Sequence, residues 1–363
     1  MTGLNLPTLT IGDITVEIPI IQGGMGVRVS GANLAAAVAN TGCIGVISSV
    51  GIGAFEDCPK TDAYKVCEET LRAEIRRART MTDGIIGVNI LVASSDYPGL
   101  VRASIEEGID LIISGAGLPL DLPKYLDGAK TKLVPIVSSG RALKVLCRKW
   151  QKSYGHLPDA VVVEGPMAGG HLGYRYDDLV DQTVPMLEDM LAEVIEVAHS
   201  FDTSIPVIAA GGIFDGGDIV RFISLGAAGV QMGTRFVCTD ECDVHINFKK
   251  AYLNAKKTDL HIIKSPVGLP GRVIKNKFVE RIEQGHTMPF KCDYRCLRTC
   301  NPGASPYCIA NVLSNAANGK MDDSFCFAGS NAYRCNEIVP VNVLIQQLMD
   351  EIRQAQCSGK GAV

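Results

Sequence analysis

The chain has 363 residues, of which 47% are hydrophobic, with 35 Lys and Arg against 39 Asp and Glu for a net charge of −4. That length admits one large α/β barrel with additions or two ordinary domains. The near-balanced charge, with no dense basic block beyond the solvated helix face Arg72 to Arg79, excludes a nucleic-acid partner from the expected functions.

Met1 to Pro19 carries Asp13 and Glu17 and lacks both a basic start and a long apolar core, so no signal peptide is read there and a cytoplasmic protein is expected. Leu34 to Phe55 is uncharged and long enough to span a membrane. Asn40-Thr41-Gly42 and further glycines punctuate it into an Ala-rich helix, a turn and a strand, so it reads as core and no membrane partner is expected.

Apolar, β-rich runs recur at Ile18 to Met25, Gly45 to Ser49, Ile85 to Leu91, Leu111 to Gly115, Leu133 to Ser139, Ala160 to Glu164, Pro206 to Gly212 and Gly229 to Phe236. Eight continuous apolar strands alternating with helical stretches predict an α/β fold, a parallel (β/α)8 barrel, with a doubly wound open sheet as the alternative. Ser30 is the expected N-cap of the first helix, and Thr61 or Asp62 that of the helix ending in Arg76, Arg77 and Arg79, whose charge suits a C-terminus. Pro119 and Pro123 reduce Leu118 to Ala129 to a short helix or irregular loop.

The regularity changes after Phe236. A helix is expected over His245 to Lys256, an extended piece over Lys264 to Leu269 and a helix fragment over Phe278 to Glu283. Val343, Leu344, Leu348 and Ile352 recur at helical spacing in Val341 to Gln356. The expected division is a barrel over 1–250 and an extension over 251–363 packing on it, with a cysteine-rich segment over 292–335.

The candidate chemistry gathers where strands break into glycines. Val161-Val162-Val163-Glu164-Gly165-Pro166-Met167-Ala168-Gly169-Gly170-His171 delivers one histidine just past the sixth strand, where barrel enzymes place their chemistry. Gly211-Gly212 ends the seventh strand and Gln231-Met232-Gly233-Thr234 the eighth, the positions at which barrels hold phosphate through glycine amides and a helix N-terminus. Asn89 and Glu164 are polar residues at the ends of apolar runs and need partners if buried. The edge of a flavin ring would satisfy Asn89, and a ribityl hydroxyl or ring N–H would satisfy Glu164. The competing reading of Asn89 is a core amide bonded to backbone.

Ile21-Gln22-Gly23-Gly24-Met25, Gly87-Val88-Asn89-Ile90, Ser114-Gly115-Ala116-Gly117, Glu164 to His171, Ala209-Ala210-Gly211-Gly212-Ile213 and Gln231-Met232-Gly233-Thr234-Arg235-Phe236 together resemble the nitronate monooxygenase (2-nitropropane dioxygenase) family, which includes flavin-dependent enoyl-[acyl carrier protein] reductases. Phe327-Ala328-Gly329-Ser330 resembles a later element of that family. The resemblance implies an FMN-dependent TIM-barrel oxidoreductase. In it Gly23, Gly24 and Met25 lie under the flavin ring, and Asn89 and Glu164 bond its polar atoms. Gly169 and Gly170 close on it, Gly211, Gly212, Gln231, Gly233 and Thr234 cradle the phosphate, and His171 is catalytic. Met167 stands where the family pattern is usually acidic, which changes the electrostatics on the substrate side.

The expected reaction is oxidation of an alkyl nitronate with oxygen. The alternatives are an NAD(P)H-dependent enoyl reductase of fatty acid synthesis and a non-catalytic flavin-binding or electron-transfer protein. The expected partner is a small molecule, a nitronate or an enoyl thioester, and a homodimer is left open. Of thirteen cysteines, six crowd into Cys292 to Cys335. Cys292-x3-Cys296-x3-Cys300-x7-Cys308 could ligate zinc or an iron–sulfur cluster, because thiolates are soft ligands. Its spacing is neither a standard zinc pair nor a ferredoxin run, and reduced cysteines filling gaps are the alternative.

Overall fold

Every second residue of the apolar runs points to the opposite face, and the two faces go to different cores. Val161 and Val163 join the cluster that faces the surrounding helices, while Val162 joins the inner cluster with Ile113, Val134 and Ile208. A strand apolar on both faces belongs in a sheet covered on both. The computed structural model describes residues 6–53, 63–201, 205–292 and 294–359.

A short hairpin, β1 (Leu9–Ile11) and β2 (Ile14–Val16), comes first, and Leu9 and Ile11 are buried with the inner cluster. The barrel strands are β3 (Ile20–Gln22), β4 (Gly45–Ser48), β5 (Ile86–Leu91), β6 (Leu111–Gly115), β7 (Lys132–Val137), β8 (Val161–Glu164), β10 (Val207–Ala210) and β11 (Gly229–Met232). They pair in parallel in the order β3-β11-β10-β8-β7-β6-β5-β4. The ends of that order meet: Gln22 N donates to Ile44 O at 2.9 Å and Ile44 N to Ile20 O at 3.0 Å, closing the (β/α)8 TIM barrel. All eight strands fall within or beside the runs expected of them, and the open-sheet alternative is excluded by this closure.

The helices between strands are α1 (Ala32–Ala39), α2 (Ala63–Arg79), α3 (Tyr97–Glu106), α4 (Gly140–Tyr154), α6 (Leu187–His199), α7 (Gly216–Ser224) and the four-residue α8 (Thr234–Val237), with α5 (Tyr176–Val180) ahead of α6. Leu118 to Ala129 holds a single 3-10 turn, Leu122–Tyr125, as its prolines required. Ser30 does not cap α1. Its hydroxyl turns back to accept from Met25 N at 2.9 Å, and the distant Asp243 carboxylate accepts from Gly31 N and Leu34 N instead. Thr61 and Asp62 lie outside the described residues. On the basic face of α2, Arg76 and Arg77 are exposed as expected, while Arg72 is largely covered, and Arg72 and Arg76 both bind Glu107 at the end of α3.

After the barrel come α9 (Ile246–Leu253), β12 (Leu260–Lys264), β13 (Pro270–Ile274), α10 (Lys277–Glu283), α11 (Ile309–Ala317) and α12 (Val341–Cys357). The extended piece expected over Lys264 to Leu269 is instead a tight turn, Gly268 N donating to Ser265 O, between two strands the apolar pattern did not separate. β13 also pairs with β9 (Gly170–His171). α12 buries Val341, Leu344, Ile345, Leu348 and Ile352 in the core shared with α7, whereas Val343, expected inside, is exposed. No helix among the described residues is long and apolar enough to cross a membrane; Leu34 onward is α1, a turn and β4.

Candidate active site

At the C-terminal ends of the barrel strands lies a cavity of about 1010 Å³, and every cofactor and catalytic residue expected from the sequence lines it: Gly23, Gly24, Met25, Asn89, Glu164, Gly169, Gly170, His171, Gly211, Gly212, Gln231, Gly233 and Thr234. They come from five strand ends, those of β3, β5, β8, β10 and β11, and converge because parallel strands of a closed barrel all finish on one face.

The glycines make room in specific ways. A Cβ on Gly24 would stand 2.3 Å from the Asn89 Cβ, so the loop after β3 touches strand β5 only because Gly24 has no side chain. A Cβ on Gly169 would meet the Ala328–Gly329 backbone at 2.6 Å, which lets the β8 loop lie on the 327–331 segment. Gly211 has φ +96°, and a Cβ there would come within 2.9 Å of Gly165 O.

Several polar groups in the wall lack protein partners. Among the described residues, Ser48 Oγ, Gln231 Oε1 and Ser330 Oγ are buried without a hydrogen bond, and all three residues line the cavity. Buried oxygens left unpaired cost about 1–3 kcal/mol each, so a ligand with donors fits this wall. Burial pushes the Glu164 carboxyl up to about 7, while Tyr174 Oη binds its backbone carbonyl. Asn89 Nδ2 reaches Ile113 O at only 3.4 Å, a weak bond that leaves the amide largely available.

His171 sits on β9 beside β13. Its Nε2 lies 2.8 Å from Ser265 Oγ, and its ring meets that of Phe327 edge-on at 4.8 Å. Burial lowers its pKa to about 4, so the imidazole is neutral at physiological pH. The Arg272 guanidinium, lowered to about 10 by burial, donates to Pro166 O at 2.7 Å and Ala168 O at 2.6 Å and so anchors the loop leading to His171.

Sequence reasoning missed Arg272, Ser265, Phe327 and Ser330 as parts of this site. The Pro270 to Ile274 run, a β-branched pair after a Gly turn carrying one arginine, was the visible signal for Arg272, and the family element Phe327-Ala328-Gly329-Ser330 that for Phe327 and Ser330; Ser265 had none. Of the helix N-termini expected beside a phosphate, that of α7 after the seventh strand already has partners of its own. The start of α7 is occupied by a capping box of Asp215 and Asp218, and Glu351 accepts from Gly216 N at 2.7 Å.

The cysteine-rich segment supplies Tyr294, Cys296, Leu297 and Thr299 to the same cavity. Among the described residues no three His, Cys, Asp or Glu side chains are gathered as the ligands of one metal ion.

The nitronate monooxygenase family model matches residues 8–99 and 93–351. The chain is 31% identical over 272 residues to the (3aS,4S,5R,7aS)-5-hydroxy-7a-methyl-1-oxo-octahydro-1H-indene-4-carboxyl-CoA dehydrogenase of Mycobacterium tuberculosis, covering 75% of this chain and 67% of that protein. It is 30% identical to a probable nitronate monooxygenase of Staphylococcus saprophyticus, covering 77% of this chain and 82% of the relative. FabK from Thermotoga maritima superposes with a TM-score of 0.75 at 30% identity, covering 96% of each chain.

Proposed function

The chain belongs to the nitronate monooxygenase family of oxidoreductases, and from that premise we propose that it binds FMN in the barrel-mouth cavity and oxidises alkyl nitronates with oxygen. The observation that carries the reading is the wall itself, where thirteen residues matching the family pattern share one cavity with three unpaired buried oxygens. FMN, when bound, supplies the redox chemistry.

Gly23, Gly24 and Met25 would form the floor beneath the ring, Asn89 and Glu164 would bond its polar edge and the ribityl chain, and Gly169 and Gly170 would close over it. Gly211, Gly212, Gln231, Gly233 and Thr234 would take the phosphate through amides, the start of α7 being already capped. His171 moves the proton. Neutral at pH 7, it can remove the acidic α-proton of a neutral nitroalkane through Nδ1 and so generate the nitronate that is oxidised, with Nε2–H donating to Ser265; the reverse tautomer accepts from Ser265 and offers an Nδ1–H donor to a nitronate oxygen. Arg272 holds the two carbonyls before His171 and so fixes where that ring stands.

A second reading, pyridine-nucleotide-dependent reduction of an enoyl thioester, is favoured by one relative that is named for a carboxyl-CoA compound. The electron source separates the two. Purified protein loaded with FMN is mixed anaerobically with an alkyl nitronate, or with NADH or NADPH. Bleaching by the nitronate and recovery in air is the expected result. Bleaching only by the nucleotide, reversed by an enoyl thioester, establishes the reductase instead.

A further inference from the structure

The described cysteines divide by environment. Cys43, Cys67, Cys147, Cys238, Cys242, Cys326 and Cys335 are buried in packed core, where a thiol acts as a small apolar group. Cys292, Cys296, Cys300 and Cys308 are only half-buried and come from one stretch with little regular structure. Within 291–306, Tyr294 and Leu297 are the residues that join a hydrophobic cluster, so apolar packing gives this stretch little reason to hold its path. Gap filling therefore explains the first set and not the second.

The stretch is nevertheless strapped to the barrel rim. Ser95 N donates to Cys296 O at 3.1 Å, Arg298 N to Ala93 O at 3.0 Å, and Ser95 Oγ to Arg295 O at 2.6 Å. These bonds join it to the loop after β5, the strand that carries Asn89, and put Cys296 in the cavity wall.

The four thiols are near one another. Cys308, Cys292 and Cys300 all lie close enough to Cys296 to act on it electrostatically. Backbone amides and cationic side chains surround these sulfurs. Arg295 N donates to Cys292 Sγ at 3.4 Å. Cys308 is the N-cap of the nine-residue α11, and the Ala310 and Asn311 amides face its sulfur. Lys291, Arg295 and Arg298 bring positive charge to the same stretch. A single zinc needs four ligands at about 2.3 Å from one point, and no three donors among the described residues converge in that way. A polynuclear centre carries its thiolates on separate irons and so spreads them further apart.

We propose that Cys292, Cys296, Cys300 and Cys308 bind an iron–sulfur cluster at the rim of the barrel-mouth cavity. The half-buried sulfurs, the strapped but core-poor loop and the adjoining cationic side chains have one explanation in a thiolate-ligated cluster, which organises the loop as a core would. The cluster is a one-electron centre set in the wall of a redox cavity. Its binding does not depend on which substrate or flavin that cavity takes.

The test is anaerobic reconstitution of the full chain with ferrous iron and sulfide, followed by iron and acid-labile sulfide analysis. Near-equal iron and sulfide, about two or four of each per chain, with broad visible absorption, is the expected result. Cys296→Ser should lose both, whereas Cys357→Ser, an exposed cysteine at the far end of α12, should keep both. Should Cys296→Ser not fold, Cys292→Ser serves in its place and should lose the cluster. Absence of bound iron, stoichiometric zinc without sulfide, or unchanged iron in the folded Cys variant overturns the proposal.

Discussion

The environment of His171 decides what the residue can do. With its pKa lowered to about 4 by burial, the ring remains unprotonated well below the ordinary histidine range. If it acts as a base, kcat/KM should stay level as pH falls from 7 to 5 and drop only near pH 4, where the base becomes protonated. An acid limb near 6.5 would show a solvated ring and remove that role. His171→Ala should retain the flavin and lose roughly 10²–10⁴-fold in turnover, the range for general acid–base catalysis. Turnover close to that of the parent would leave the ring as a packing partner of Phe327. The histidine was legible in the sequence because glycines bracket it just past a strand. Its partners were not, since Ser265 and Phe327 lie 94 and 156 positions further along the chain and no local pattern ties them to it.

Among the elements, the glycine loops after β10 and β11 read alike in sequence and differ in structure. Gly211 adopts φ +96° against the Gly165 carbonyl, so Gly211→Val should destabilise the folded chain itself. Gly233 has an ordinary φ, and the nearest atoms to a Cβ there belong to the flexible Met25 side chain, at 3.3 Å. Gly233→Val should therefore keep the melting temperature of the cofactor-free protein while weakening FMN by about tenfold or more. That is the effect of losing one charge-assisted hydrogen bond, about 1.5–3 kcal/mol. Fluorescence titration with FMN measures it, and unchanged affinity would move the phosphate elsewhere. Continuous β-branched runs made the barrel strands visible in the sequence. β9, two residues long, escaped notice because its partner β13 lies a hundred residues further along the chain, and β13 itself was hidden in a hairpin with β12 whose tight turn the apolar pattern did not mark.

At the scale of the molecule, α12 completes the barrel wall. It lies against α7, Glu351 accepts from Gly216 N, and Arg235 of α8 reaches both Glu351 and Gln347. Leu348 is fully buried in the core common to these helices. Leu348→Ala should lower stability by about 2–5 kcal/mol, read by denaturant unfolding with FMN absent. A loss below about 0.5 kcal/mol, the range of ordinary surface changes, would mean that α12 is a loosely docked appendage.

The order of strands and helices, the glycine positions and the single histidine could be read from the chain because each is a local property: alternation, turn chemistry and β-branching act within a few residues. Closure of the barrel could not, since it depends on Gln22 and Ile20 meeting Ile44 across a turn of the whole sheet. The capping of α1 by Asp243, the anchoring of the His171 loop by Arg272 and the seating of Cys296 in the cavity wall through the bond from Ser95 N are likewise tertiary. In each case a polar group is satisfied by a residue distant in sequence, and only the folded backbone sets which groups come within hydrogen-bond reach.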